Sequence, residues 1–258
     1  WAAGDATSRG VRLGLMALRG EMGYPSALTA PNWGFYDVLF KGKSFSLNRA
    51  FDSYVMENIL FKISYPAEFH AQTAVEAAMK LHLDVCHRVD DVEKVVIETQ
   101  EAAIRIIDKT GVLDNPADRD HCLQYMIAVP LIFGRLSAYD YEDNVASEPK
   151  IDQLRNKMEV RENKNFTMDY MNLDKRYIGN SIQVFFKDGT STEKVVVNYP
   201  VGHKERRKEG IPILINKFEN SLSEKLSITQ WEELKLISSD KDKLSAMAVD
   251  DFMALMVV

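Results

Sequence analysis

The chain has 258 residues, 46% hydrophobic and 27% charged, with 32 basic against 38 acidic side chains and a formal charge of −6. That length buries a core and allows one or two domains, and the acidic balance argues against nucleic acid as the main partner. Two cysteines, Cys86 and Cys122, make no disulfide framework, so a reducing compartment is expected, and the longest apolar run, Met126 to Phe133, is too short to cross a bilayer.

Trp1 leads straight into AAGDATSRGVRLGLMAL, which reads as a buried helix. Its small residues (Ala2, Ala3, Gly4, Ala6, Ser8, Gly10, Gly14) suit close helix packing. A Trp opening onto core sequence reads as the latter part of a longer polypeptide. Pro25 starts a second short helix, PSALTAP, which Pro31 ends. Residues 32–56 read as an irregular aromatic loop over a core. A strand near 58–64, a helix near 70–83 and a strand at 92–99 (VEKVVIET) give a βαβ-like order. A helix with Pro116 near its start runs to about Gly134, with Pro130 kinking it or ending its regular part. Residues 143–176 are charged and read as a helix with long loops. IQVFF (182–186) and KVVVNYP (194–200) flank Asp188-Gly189 as a hairpin. After Pro200 comes a basic run (His203, Lys204, Arg206, Arg207, Lys208), read as a solvated loop, and then helix to the end. The fold class is α+β: an all-helical domain, split and incomplete, with an α+β domain inserted in it.

No phosphate-binding glycine loop, G-x-S-x-G or H-E-x-x-H occurs, and the Cys and His residues lack zinc-like spacing. No metal or iron–sulfur cofactor is expected. The informative window is FKISYPAEFHAQ, Phe61 to Gln72. Its alternating run stops at Pro66 and a helix opens near His70. Strand end, turn and helix start are where α/β architectures place chemistry. His70 reads either as a helix-start residue satisfied by the backbone or as a general acid/base. Lys62 reads as an exposed strand Lys or as a carboxylate-binding cation. Asp118, His121, Cys122 and Tyr125 form a second cluster, in which His121 and Tyr125, four apart, share a helix face. Tyr125 is either core with a bonded hydroxyl or a donor to a substrate oxygen. Arg105 pairs with Asp108 at the surface or reaches a carboxylate.

The segments WAAGDATSRGVRL, GEMGYPSALTAP, YVMENILFKISYPAEFHAQTAVEAAM, NPADRDHCLQYMIAVPLIFGRL, DYEDNVA and GIPILINKF resemble the C-terminal half of proteins of the MmgE/PrpD superfamily. The resemblance runs through essentially the whole chain. It implies a large helical domain, here 1–56 and 201–258, and a smaller α+β lid, here 57–200, with the active site in the cleft between them. It further implies a hydro-lyase that removes water from 2-methylcitrate to give 2-methyl-cis-aconitate in propionate breakdown, with citrate as a further substrate and no cofactor. The alternatives are a decarboxylase or epimerase of a related polycarboxylate, or an inactive half serving as an assembly module. The family's Lys, His and Tyr positions match Lys62, His70 and Tyr125. Either Glu68 or His70 fills the His role, and Gln72 falls at a position that is His in many relatives. Lys62 and Arg105 would hold substrate carboxylates, with Glu68, Gln72 and His121 lining the same site. The implied partners are a tricarboxylate, a missing N-terminal half carrying an Asp, two His and another Lys, and a second copy in a homodimer. The implied compartment is the cytoplasm, or the mitochondrial matrix in a eukaryote.

Overall fold

The computed structural model describes residues 2–43, 46 and 59–257, which fall into two units, Trp1–Tyr54 and Val55–Val258. In the first, α1 spans Ala2–Leu18 and carries an Asp5–Arg9 pair one turn apart, 3.0 Å. Contrary to the expectation of a buried helix, none of its residues is buried among those described. PSALTAP is a set of turns rather than a helix: the Ala27 N–H donates to Tyr24 O and the Ala30 N–H to Ser26 O. Pro31 disfavours helical backbone at Ala30, and a segment this short cannot offset the cost of nucleation. The aromatic stretch instead contains a helix, α2, Phe35–Phe40, with the Phe35 and Phe40 rings 5.5 Å apart. The remaining aromatics, Phe45, Phe51 and Tyr54, lie outside the described residues, as does the start of the strand expected at 58–64.

The second unit is built on a four-stranded sheet of β1 (Val92–Thr99), β2 (Met158–Glu162), β3 (Asn180–Phe186) and β4 (Val195–Val197), in the order β2-β1-β3-β4. This is the α+β character expected. VEKVVIET is β1, and IQVFF pairs antiparallel with β4 across the Asp188-Gly189 turn. Two strand readings change. Residues 59–64 join no ladder; the Phe61 N–H donates to Gly202 O (3.2 Å), and only the alternation survives, with Ile63 buried and Lys62 and Ser64 exposed. The segment lies against a turn, not a strand, so the βαβ order expected there is absent. The parallel pair is instead β1 with β2, and β2 lies inside the region read as helix and loop.

Helix α3, Gln72–Val85, buries Ala74, Val75, Ala78 and Leu81 and packs against β3 and β4. Helix α4 is Glu101–Ile107. The single helix expected from Pro116 to Gly134 is two. The first, α5 (Pro116–Arg119), carries Pro116 at a first-turn position where its missing N–H costs nothing. The second, α6 (Leu123–Phe133), continues three residues past Pro130. Nine of the α6 residues are buried, and the helix packs against α3 and against α8 (Pro149–Arg155), which follows a short α7 (Asp143–Ala146). Helix α9, Lys164–Met171, links β2 to β3. Beyond the sheet the chain is helical, from Arg207–Ser223 to Val249–Ala254.

The basic run is not all solvated loop. His203 is buried, and its ring lies 5.4 Å from Tyr177 and 5.3 Å from Tyr199. Its Nδ1 accepts the Glu205 N–H (3.2 Å), so the proton sits on Nε2, which donates to Lys175 O (2.8 Å). Burial pushes its pKa below 6.5, and the bond to Lys175 only partly opposes this. The fold therefore holds His203 neutral. Its contribution is full above the unfolded pKa of 6.5 and is lost as pH falls below that value toward the lower folded pKa. Urea unfolding at stepped pH is expected to show stability declining below pH 6.5 by up to ~1.4 kcal/mol per unit from this group. His203→Gln should remove that component of the slope.

Candidate active site

Pro66 ends the extended segment, and the chain turns through a single 3-10 turn, Phe69–Ala71, into α3. Glu68 caps that turn. Its Oε2 accepts the His70 N–H at 2.8 Å, and its Oε1 meets the same residue's Nδ1 at 2.8 Å. One carboxylate thus fixes both the backbone and the ring of His70. On the other side His70 Nε2 lies 3.2 Å from the Tyr170 hydroxyl, near the C-terminal end of α9. The turn is held from below as well. Gln72 Nε2 donates to Tyr65 O (2.9 Å) and Ala67 O (2.8 Å), and Asn180 Nδ2 donates to His70 O (2.8 Å) and to Thr73 Oγ1 (2.8 Å).

The Glu68 and His70 side chains are 15% and 12% exposed, enough for one edge to meet a ligand. Burial raises the Glu68 pKa, but its bonds to His70 and the charges of His70 and His121 outweigh this and leave the carboxyl below the usual range. An ionised Glu68 accepts from Nδ1–H, so the neutral imidazole carries its lone pair on Nε2. When protonated, the ring is an imidazolium already paired with an anion. The pair can accept or release a proton at a fixed atom.

The other expected residues divide between this turn and elsewhere. Lys62 is exposed, its Nζ 4.9 Å from the centroid of the Phe69 ring, so its charge stands beside the His70 turn. Arg105 lies on α4, which packs against the same turn; its guanidinium is exposed and pairs with Glu101 (3.8 Å) instead of Asp108. Asp108 instead accepts from Gln124 (2.6 Å). Gln72 is buried, with its amide N–H groups engaged by the turn.

The second cluster does not form as expected. The chain breaks between α5 and α6, so His121 precedes the helix and shares no face with Tyr125. His121 is exposed and pairs with Asp120 (2.6 Å), while Asp118 pairs with Lys109 (2.9 Å). Tyr125 is buried and donates to Asp140 O at 2.5 Å, and burial pushes its pKa up to about 12. Tyr125→Phe is expected to lower the stability of the chain by about 1 kcal/mol, because the Asp140 carbonyl loses its donor. Chemical denaturation checks this.

Two residues of the site, Tyr170 and Asn180, escape the sequence reading. Tyr170 follows the buried Phe166 by four residues, the spacing that puts both on one face of α9. Asn180 is a fully buried amide at the start of the otherwise largely apolar β3. Among the described residues no group of three or more His, Cys, Asp or Glu side chains could hold a metal, and no helix is long and apolar enough to cross a membrane.

Residues 65–243 match the model of the MmgE/PrpD C-terminal domain, and residues 1–48 match that of the N-terminal domain. Over the whole chain the sequence is 58% identical to a 2-methylcitrate dehydratase of Escherichia coli and 57% identical to one of Salmonella typhimurium, covering 54% of each. It is 54% identical to a protein of Yarrowia lipolytica named 2-methylcitrate dehydratase, mitochondrial, covering 50% of it. The chain thus spans about half the length of the curated relatives it matches. The C-terminal-domain model covers the sheet and the Glu68–His70 turn together, and on that match the chain belongs to the MmgE/PrpD family.

Proposed function

We propose that this chain supplies the His70 wall of a hydro-lyase site that removes water from 2-methylcitrate to give 2-methyl-cis-aconitate, with citrate as a further substrate. The observation that carries the reading is the Glu68–His70 pair, one ring nitrogen bound to a carboxylate, at a turn flanked by the cation of Lys62. The names of the relatives support the substrate.

The elimination breaks a C–H bond beside a carboxylate, uses that electron pair for the new alkene, and expels the hydroxyl oxygen as water once it has gained a proton. Developing charge on the carboxylate must be stabilised, and hydroxide must be protonated as it leaves. His70 moves one of these two protons at Nε2, with its Nδ1 held by the Glu68 carboxylate. Lys62, over the Phe69 ring, and Arg105, on the helix that packs against the turn, attract substrate carboxylates, and His121 lines the same site. Gln72 holds the turn. Tyr125 enters as the residue directed at a substrate oxygen, for which its hydroxyl must leave the Asp140 carbonyl.

In the same proposal residues 57–200 are a lid inserted in a helical domain to which 1–56 and 201–258 contribute. The other half of the relatives' length provides the remaining Asp, His and Lys groups. The complete protein acts as a homodimer, in the cytoplasm or the mitochondrial matrix. The test is the complete protein with 2-methylcitrate, followed by ultraviolet absorbance of the conjugated alkene and by mass spectrometry of the product. Rising absorbance with loss of one water is expected. Release of carbon dioxide, or a changed configuration without an alkene, would overturn the reading.

A further inference from the structure

We propose that Tyr170 is a positioning residue for His70, the hydroxyl that sets which way Nε2 points before a substrate arrives. This rests on the reading of His70 as a proton-transfer group. Of the two ring nitrogens Glu68 restrains only Nδ1, and Nε2, the reacting atom, is left without a partner from that side. The Tyr170 hydroxyl, 3.2 Å from Nε2 and a hundred residues away in sequence, supplies the second point. The two rings lie 5.5 Å apart and tilted, so they also limit each other's rotation.

Tyr170 can do this because α9 is itself fixed against a strap, Gly179–Asn180, that bonds the His70 carbonyl. Phe166, one turn earlier on α9, presses on Gly179 so closely that a Cβ there would come 2.6 Å from the ring. The next residue, Asn180, donates to His70 O. Helix, strap and turn therefore form one unit, with His70 held at its ring through Glu68 and Tyr170 and at its carbonyl through Asn180. A 3.2 Å contact is long for a hydroxyl–imidazole bond. It steers the ring, and a substrate oxygen can replace it at Nε2.

The experiment labels histidine with nitrogen-15 in the complete protein and compares wild type, Tyr170→Phe and Glu68→Gln. Tyr170→Phe is expected to move the His70 Nε2 resonance with little change at Nδ1, and Glu68→Gln to move Nδ1. With 2-methylcitrate, Tyr170→Phe should lower kcat by roughly 10- to 100-fold with KM within about twofold, the signature of a misplaced reacting group. An unmoved Nε2 resonance overturns the proposal, as does a moved resonance with unchanged kcat. His70→Ala with normal turnover would instead sink the reading of His70 while leaving the Tyr170 bond visible in the wild-type spectrum.

Discussion

Replacing His70 by alanine in the complete protein is expected to lower kcat by roughly 10²–10⁴-fold, the usual worth of a positioned general acid or base. The geometry says why the loss should fall on kcat. His70 is the one residue of the turn with a ring nitrogen directed away from the backbone, and its other nitrogen is already paired with Glu68. Binding of the carboxylates would rest on Lys62 and Arg105, which this change leaves in place. Glu68 offers a second handle. Glu68→Gln keeps a cap on the His70 N–H but replaces the carboxylate at Nδ1 by a neutral amide, so a smaller loss than that of His70→Ala is expected. This ordering also separates the two candidates for the family's His role. If Glu68 were the reacting group, its amide variant would be at least as damaged. Steady-state kinetics with thermal melts of both variants decide it.

How much of this was legible in the sequence depends on how far each interaction reaches. The β1 strand, the hairpin and α3 follow from local pattern, because each buries one face of a short segment with matching periodicity. Strand β2 escaped because it lies at the sheet edge, where Glu159 and Arg161 are exposed and the inward face, Met158, Val160 and Glu162, is only half-buried and ends on a charge. Missing β2 hid α9, and missing α9 hid Tyr170. The run at 59–64 erred in the opposite sense. Its alternation is real, yet nothing in it says that its partner is a turn around Gly202 and not a strand. In the same way, the i, i+4 spacing of His121 and Tyr125 carries meaning only within one helix, and Asp120–Cys122 interrupt it. Lys62, Glu68 and His70 were readable together because one turn of chain holds all three.

The residue that fixes that turn's approach is Gly202, and Gly202→Ala is expected to destabilise the protein by about 3 kcal/mol, the upper end for overpacking. A Cβ at this position would lie 1.7 Å from the Phe61 carbonyl oxygen, 2.6 Å from its carbon and 3.0 Å from its Cα. All three are backbone atoms, so no rotamer change relieves the clash. The segment cannot simply back away, because it is tied at several points. The Phe61 N–H donates to Gly202 O, the Arg207 guanidinium lies 4.2 Å from the Phe61 ring centroid and donates to Ile59 O, and Lys217 Nζ donates to Lys62 O. Accommodating one methyl group therefore costs either the strain itself or several of these contacts. In urea the midpoint should fall with the slope unchanged, since the surface exposed on unfolding is the same. A midpoint shift worth less than about 1 kcal/mol would mean that the two segments do not approach as described. Because Lys62 follows the displaced residue directly, the variant that still folds should also bind 2-methylcitrate more weakly. A raised KM with a nearly preserved kcat would then distinguish displacement of Lys62, the proposed carboxylate-binding cation, from damage to His70.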